Sequence, residues 1–168
     1  MSLSLYQASI PVFLRQLNGL STVLDRAIAY CAERKIDQKA LLNDRIFPDM
    51  FPLTRQVTIA SGYAERCGAR LTGAEPPKRE DAAESLEELK KRVADAIDYV
   101  KSIDAKKMEG AEDREISFPV GPNQRTMTGV DYLQHFSMPN FYFHVTTAYN
   151  ILRHNGVPLG KADFMGAR

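Results

Sequence analysis

The side chains in this sequence best suited to chemistry near neutral pH are its three histidines, His135, His144 and His154. Imidazole titrates in that range and is a common metal ligand. His154 lies near a helix end, where a cation suits the helix dipole, and His135 ends a short helix, where a loop carbonyl can satisfy it. His144 differs, because Phe141, Val145 and Ala148 share its helical face and turn it toward the core. In that position it is a satisfied polar group, a ligand or a general base. A metal centre in a bundle draws donors from facing helices, typically two at i and i+4 on one helix and a third from another. Asn140 and His144 have that spacing, and Gln56 lies one step before the inward Val57 of an earlier helix. Asn and Gln bring only a neutral amide oxygen, a poor ligand beside imidazole. Gln56, Asn140 and His144 therefore define the candidate pocket, and His144 is its one candidate metal ligand.

Other signatures are missing. The glycines at 156 and 160 follow a helix instead of opening one, unlike a phosphate-cradling loop. No serine elbow and no cysteine beside a histidine marks a nucleophile. Tyr132, Tyr142, Tyr149, Phe136, Phe141 and Phe143 crowd the C-terminal third, as core and interface packing or as the walls of an aromatic-lined pocket. Cys31 and Cys67 are far apart and sit within helical patterns, so both read as reduced, buried small hydrophobes of a cytoplasmic protein.

The elements that must place these residues are helical. Ile10, Phe13, Leu14, Leu17, Leu20, Leu24, Ala27, Ile28 and Cys31 recur at three- and four-residue steps. They predict a helix of about 36 Å from Ile10 to Glu33. Pro11 then lies in its first turn with Ser9 as N-cap, or else kinks a helix beginning nearer Ser4. After an irregular link over Asp37 to Phe51, Pro52 suits the first position of a second helix running to about Arg70. Gly62 inside it suggests that a neighbouring backbone comes close. Pro76-Pro77 and the charged run Lys78 to Glu84 form a solvated connector. Ser85-Leu86-Glu87-Glu88 reads as a capping box for a third helix, with Leu86, Leu89, Val93, Ala96, Ile97, Val100 and Ile103 inward. Ile116, Phe118 and Val120 then alternate with polar residues or proline before the turn residues Gly121-Pro122-Asn123, predicting a small edge hairpin. Thr128 caps a short helix to about His135, and Ser137-Met138-Pro139 opens the last long helix, which Gly156 and Pro158 end. Leu159, Phe164 and Met165 allow the tail to pack back.

The 168 residues suit one domain spanning 1–168, and 44% hydrophobic with 26% charged residues is a globular composition. A net charge of +1 gives no electrostatic case for nucleic acid. No apolar run approaches the roughly 20 residues of a membrane span, and the N-terminus lacks the pattern of a secretory signal. The expected fold is all-α, a four-helix bundle with a small β-hairpin before the last helices.

The order of these elements, with Leu5-Tyr6-Gln7-Ala8-Ser9 before Pro11 and Met138-Pro139-Asn140-Phe141-Tyr142-Phe143-His144 leading into Arg153-His154-Asn155-Gly156-Val157-Pro158-Leu159-Gly160, resembles a bacterial domain-of-unknown-function family. That family is grouped with the DinB-like (YfiT-like) four-helix bundles. The resemblance covers essentially the whole chain and is most specific in the C-terminal stretch. It implies an up-down bundle with one long connection, often homodimeric. It also implies a divalent metal, commonly zinc or nickel, held by one histidine of the second helix and an HxxxH pair of the last, which in some relatives activates a small thiol for transfer. Carried over residue by residue, His144 matches one member of the pair, its partner falls on Asn140 or Ala148, and the second-helix position falls near Gln56. With one imidazole of the three present, no cofactor is expected, and zinc or nickel would have to be held through His144. The expected function is that of a small-ligand- or partner-binding homodimer, non-catalytic or with a degenerate site, with no nucleic-acid or membrane partner. The alternative is a metal-dependent enzyme, thiol-transferase- or hydrolase-like, with a rearranged site around His144.

Overall fold

The computed structural model describes residues 3–80 and 82–166. Asp81 of the charged connector and the last two residues of the tail lie outside the described residues, as do Met1 and Ser2. Four long helices carry the fold: α1 (Leu5–Arg34), α3 (Leu53–Thr72), α4 (Leu86–Lys101) and α6 (Met138–His154), with a short α2 (Gln38–Leu42) between the first two. α1 packs on α4, and α3 packs on both α4 and α6. The interior is apolar, with Phe13, Leu17, Leu24, Val57, Leu89, Val93, Phe141 and Leu152 essentially inaccessible. Phe13 of α1 meets Phe141 of α6 edge to face at 4.8 Å.

α1 takes the longer of its two expected forms. Ser4 caps it, its Oγ accepting from the Gln7 amide at 3.2 Å while its own amide donates to Gln7 Oε1 at 3.1 Å. Ser9 is therefore interior and not a cap, and its buried hydroxyl donates to the Leu5 carbonyl at 2.6 Å. Pro11 is exposed within the helix, so the Gln7 carbonyl it leaves without a donor lies on the solvent side. α3 begins one residue later than expected, with Pro52 as N-cap, and ends at Gly73 in the left-handed region (φ 75°). Ser85 caps α4 through the Glu88 amide at 3.1 Å. The other half of the expected box is displaced, since Glu88 accepts from the Glu84 amide at 2.8 Å.

β1 (Glu115–Val120) and β2 (Asn123–Thr128) form the antiparallel hairpin, pairing Ile116 with Met127 and Phe118 with Arg125. Its inner face buries Ile116 and Phe118, and on the other face the Ser117 and Thr126 hydroxyls meet at 2.7 Å. In a two-stranded sheet both strands are edges, which is why Pro119 is tolerated.

The C-terminal third departs from expectation. Thr128 does cap α5 (Gly129–Asp131), but the chain then continues through a π-helical turn, Tyr132–Ser137, directly into α6. Ser137 is helical (φ −68°, ψ −52°) and makes no capping bond. The wide turn precedes Pro139, whose ring would clash with the carbonyl four residues earlier in a regular α-helix. Beyond α6, Val157 and Leu159 are buried and α7 (Lys161–Phe164) lies against α1. Gln16 Nε2 donates to the Phe164 carbonyl at 2.6 Å, and Arg26 pairs with Asp163 at 3.1 Å. Among the described residues no helix is long and apolar enough to cross a membrane.

Two glycines separate two kinds of crowding. A β-carbon on Gly62 would meet the Arg66 guanidinium at 2.5 Å, a flexible side chain and not the neighbouring backbone that the sequence suggests. A β-carbon on Gly129 would collide with the Ala111 carbonyl, which is fixed backbone. Gly129→Ala is expected to cost about 2 kcal/mol or more, and Gly62→Ala to change stability by no more than about 1 kcal/mol. Thermal melts of the two variants check this, and an unchanged Tm for Gly129→Ala would contradict the close approach.

Candidate functional site

The packing of α3 on α6 brings Gln56 and His144 together. Both are buried, at 1% and 8% exposure. Gln56 donates from Nε2 to the carbonyl of Phe51, in the loop before α3, at 2.9 Å. That bond fixes the amide, so its oxygen faces His144, and Oε1 lies 2.7 Å from Nδ1. An amide oxygen only accepts, so Nδ1 carries the proton and Nε2 is left as the bare lone pair. Two of the three residues expected in the pocket are thus in direct contact. The third, Asn140, is half-buried one helical turn before His144, and its Nδ2 donates to the Phe136 carbonyl at 2.7 Å, within the wide turn.

Aromatic rings enclose the imidazole. Tyr63 stacks on it with centroids 5.9 Å apart and an 18° tilt, and Phe143 meets it edge-on at 5.2 Å. Tyr63 also meets Phe136, which in turn packs on Phe118. The Arg66 guanidinium lies over the Tyr63 ring, 4.7 Å from its centroid. Burial first, and then the Arg66 charge, push the His144 pKa down to about 4, so the ring is neutral at physiological pH.

Tyr63 and Arg66 did not stand out in the sequence. The available signal was spacing: Tyr63 lies seven residues after Gln56, two turns along the same face of α3. The absence of a β-carbon at Gly62 is what lets Arg66 fold back along that helix.

The other candidate groups lie elsewhere. His135 is exposed, with Nε2 3.9 Å from Asp131 Oδ1, so its neighbour is a carboxylate and not the expected loop carbonyl. His154 is exposed and borders a concavity of about 230 Å³ with Asp44, Ile46, Asn150 and Ile151. Cys31 and Cys67 are buried and unpaired by disulfide. Burial raises the Cys67 thiol to about 12, which leaves it protonated and unreactive. Tyr132 is raised to about 12 for the same reason, and its hydroxyl accepts from Arg70 at 2.9 Å. Among the described residues no three His, Cys, Asp or Glu side chains gather as a metal-holding group. The donors around His144 are one imidazole and neutral amides already engaged in hydrogen bonds, beside a guanidinium charge. That set does not fit the three-histidine centre of the bundles the sequence resembles.

Residues 5–165 match the model of a domain-of-unknown-function family, DUF1993. Among solved structures, the crystal structure of a DinB family member protein from Shewanella denitrificans is similar at 38% sequence identity and a TM-score of 0.90. The match covers 98% of this chain and 93% of that one. No curated protein matches the chain.

The depressed pKa carries a consequence for stability. Between the ordinary value of 6.5 and about 4, the unfolded chain takes up a proton at His144 that the folded chain refuses. The contribution is complete above 6.5 and is lost as pH falls toward 4, by on the order of 1 kcal/mol per pH unit. The stability difference between wild type and His144→Gln is expected to shrink across that window. Denaturant melts at stepped pH measure it, and a difference constant from pH 7 to pH 4 would contradict the neutral, buried imidazole.

Proposed function

The chain belongs to the DUF1993 family within the DinB-like superfamily, and we propose that it binds a small ligand without a metal, at the site formed by Gln56, Asn140 and His144. The observation that carries this reading is the Gln56–His144 hydrogen bond at 2.7 Å. It engages the second end of the Gln56 amide, whose other end is held by the Phe51 carbonyl, so the α3 position offers no free donor and His144 Nε2 is left as a single lone pair, too few for a metal centre. Around that bond, Tyr63, Phe136 and Phe143 supply apolar contact and the imidazole and amides supply a few directional groups, the usual composition of a small-molecule site. The Arg66 charge that disfavours a proton on His144 also disfavours a divalent cation beside it. A metal-dependent transferase or hydrolase is the weaker reading, because an imidazole with a pKa near 4 is also a poor general base at neutral pH.

We further propose that the protein works as a homodimer in the cytoplasm. Exposed Ile46, Phe47 and Tyr142 offer apolar surface for a second copy, and two buried free thiols suit a reducing compartment.

Protein purified without a histidine tag is expected to hold well below one equivalent of zinc or nickel by elemental analysis. A stoichiometric metal would sink the metal-free reading. In a thermal-shift screen of metabolites, at least one compound is expected to raise the wild-type Tm and to leave His144→Leu unchanged. Light scattering is expected to report twice the chain mass, and a monomer at micromolar concentration would remove the dimer.

A further inference from the structure

The long helices of this chain carry charge on their outer faces, and α6 is the exception. α1, α3 and α4 each bear several Asp, Glu, Lys or Arg residues, whereas α6 has none before Arg153. Its outer stripe is instead Pro139, Tyr142, Phe143, Thr146 and Asn150, all exposed, with half-buried Tyr149 beside them. Tyr142 and Phe143 are 39% and 54% exposed, large aromatic area for a helix face left to water.

The relief of this stripe is complementary to itself. Thr146 lies at its middle, and with a rise of about 1.5 Å per residue Tyr142 and Asn150 fall about 6 Å to either side of it. Aromatic rings stand before Thr146 and recesses follow it. Toward α7, Tyr149, Lys161 and Phe164 line a concavity of about 260 Å³. Toward the link before α3, Ile46, Asn150 and Ile151 line another of about 230 Å³. At about 100° per residue, Tyr142 shares the α7 side with Tyr149, and Phe143 shares the other side with Asn150. An isologous interface requires that what projects on one side of its axis meets a recess equally far beyond it. This stripe has that form on both of its sides.

We infer that the outer stripe of α6 packs antiparallel on the same stripe of a second copy of this chain, about a two-fold axis at Thr146, with Tyr142 and Phe143 seated in the other copy's concavities beside Tyr149 and Asn150. The inference rests on the homodimer reading above and adds to it the face, the axis and the seated residues. Lys161, in the first concavity, offers a donor to the hydroxyl of the entering Tyr142. Charge complementarity favours a copy over a charged partner, since a face without charge is matched by another without charge.

Two substitutions at the exposed Thr146 test the axis in the whole protein. Thr146→Arg sets two guanidinium groups against each other and should weaken the dimer by about a hundredfold or more, so that light scattering at micromolar concentration reports a single chain mass. Helices packed about 8–10 Å apart bring facing Cα atoms within disulfide range, so Thr146→Cys should crosslink two copies under mild oxidation. The native Cys31 and Cys67 are buried and leave that reaction to the new thiol. Lys91→Cys, exposed on α4, gives the rate of crosslinking by chance collision. A Thr146→Arg protein that is folded by circular dichroism and still dimeric would overturn the inference, as would Thr146→Cys crosslinking no faster than Lys91→Cys. If wild type is a dimer in either case, the α6 face fails and the homodimer stands. A monomeric wild type removes both. Should Thr146→Arg fail to fold, the crosslinking comparison decides.

Discussion

A hydrogen-bonding side chain carried into a protein interior costs free energy unless its neighbours answer it, and much of this structure is arranged around that cost on α3. This helix is buried along much of its length and carries Gln56, Thr58, Ser61 and Glu65 inside. The Ser61 hydroxyl finds no hydrogen-bond partner among the described residues, whereas the other three are answered. Gln56 is answered by the Phe51 carbonyl and His144. Glu65 is answered by Arg92 of α4 at 2.5 Å and by Arg79 of the connector at 3.1 Å. One partner thus ties α3 to α6, the other ties it to α4, and the connector is held down by the same carboxylate. An unanswered group in either place would cost roughly 1–3 kcal/mol, and more for the charge. The register of α3 against both neighbours is therefore specified by polar pairs as well as by apolar packing.

At the α3–α6 junction the same economy gives the site its character. Where the family resemblance implies an imidazole on the second long helix, this chain places Gln56, an amide whose two ends are both engaged. That exchange needs no change in the bundle, because glutamine and histidine reach across a helix interface to similar depth. It does change the chemistry, from coordination through several lone pairs to one oriented hydrogen bond and one free lone pair. A fold and the chemistry of its site are separable in this way, which is why a TM-score of 0.90 to a DinB family member speaks to the fold alone.

The C-terminal third shows how backbone chemistry serves the same region. Pro139 cannot donate and crowds the preceding turn, and the chain widens into a π-helical turn over Tyr132–Ser137 before it. The widened turn presents Tyr132 and Phe136 to Phe118 of the hairpin, at 4.9 and 4.6 Å. Phe136 also reaches Tyr63, which stacks on His144. Hairpin, wide turn and α3 thus share one aromatic cluster that ends at the imidazole.

The sequence by itself determined the four long helices, because hydrophobic period is a local property: every inward residue named for α4 from Leu86 to Val100 is buried, with Ile103 half-buried just beyond the helix. Alternation at Ile116 and Phe118, followed by Gly121-Pro122, likewise determined the hairpin. It also singled out His144 and Gln56, through the apolar residues around them and their places on two helices. Tertiary structure decided what could not be read from neighbours in the chain. The joining of α5 to α6 depends on a wide turn whose hydrogen bonds span five residues. The roles of Tyr63 and Arg66 depend on how α3 is rotated against α6. Above all, which nitrogen of His144 holds its proton depends on the Phe51 carbonyl, 93 positions away in sequence. Hydrogen-bond direction is a property of the whole connected set of donors and acceptors, and only the folded chain assembles that set.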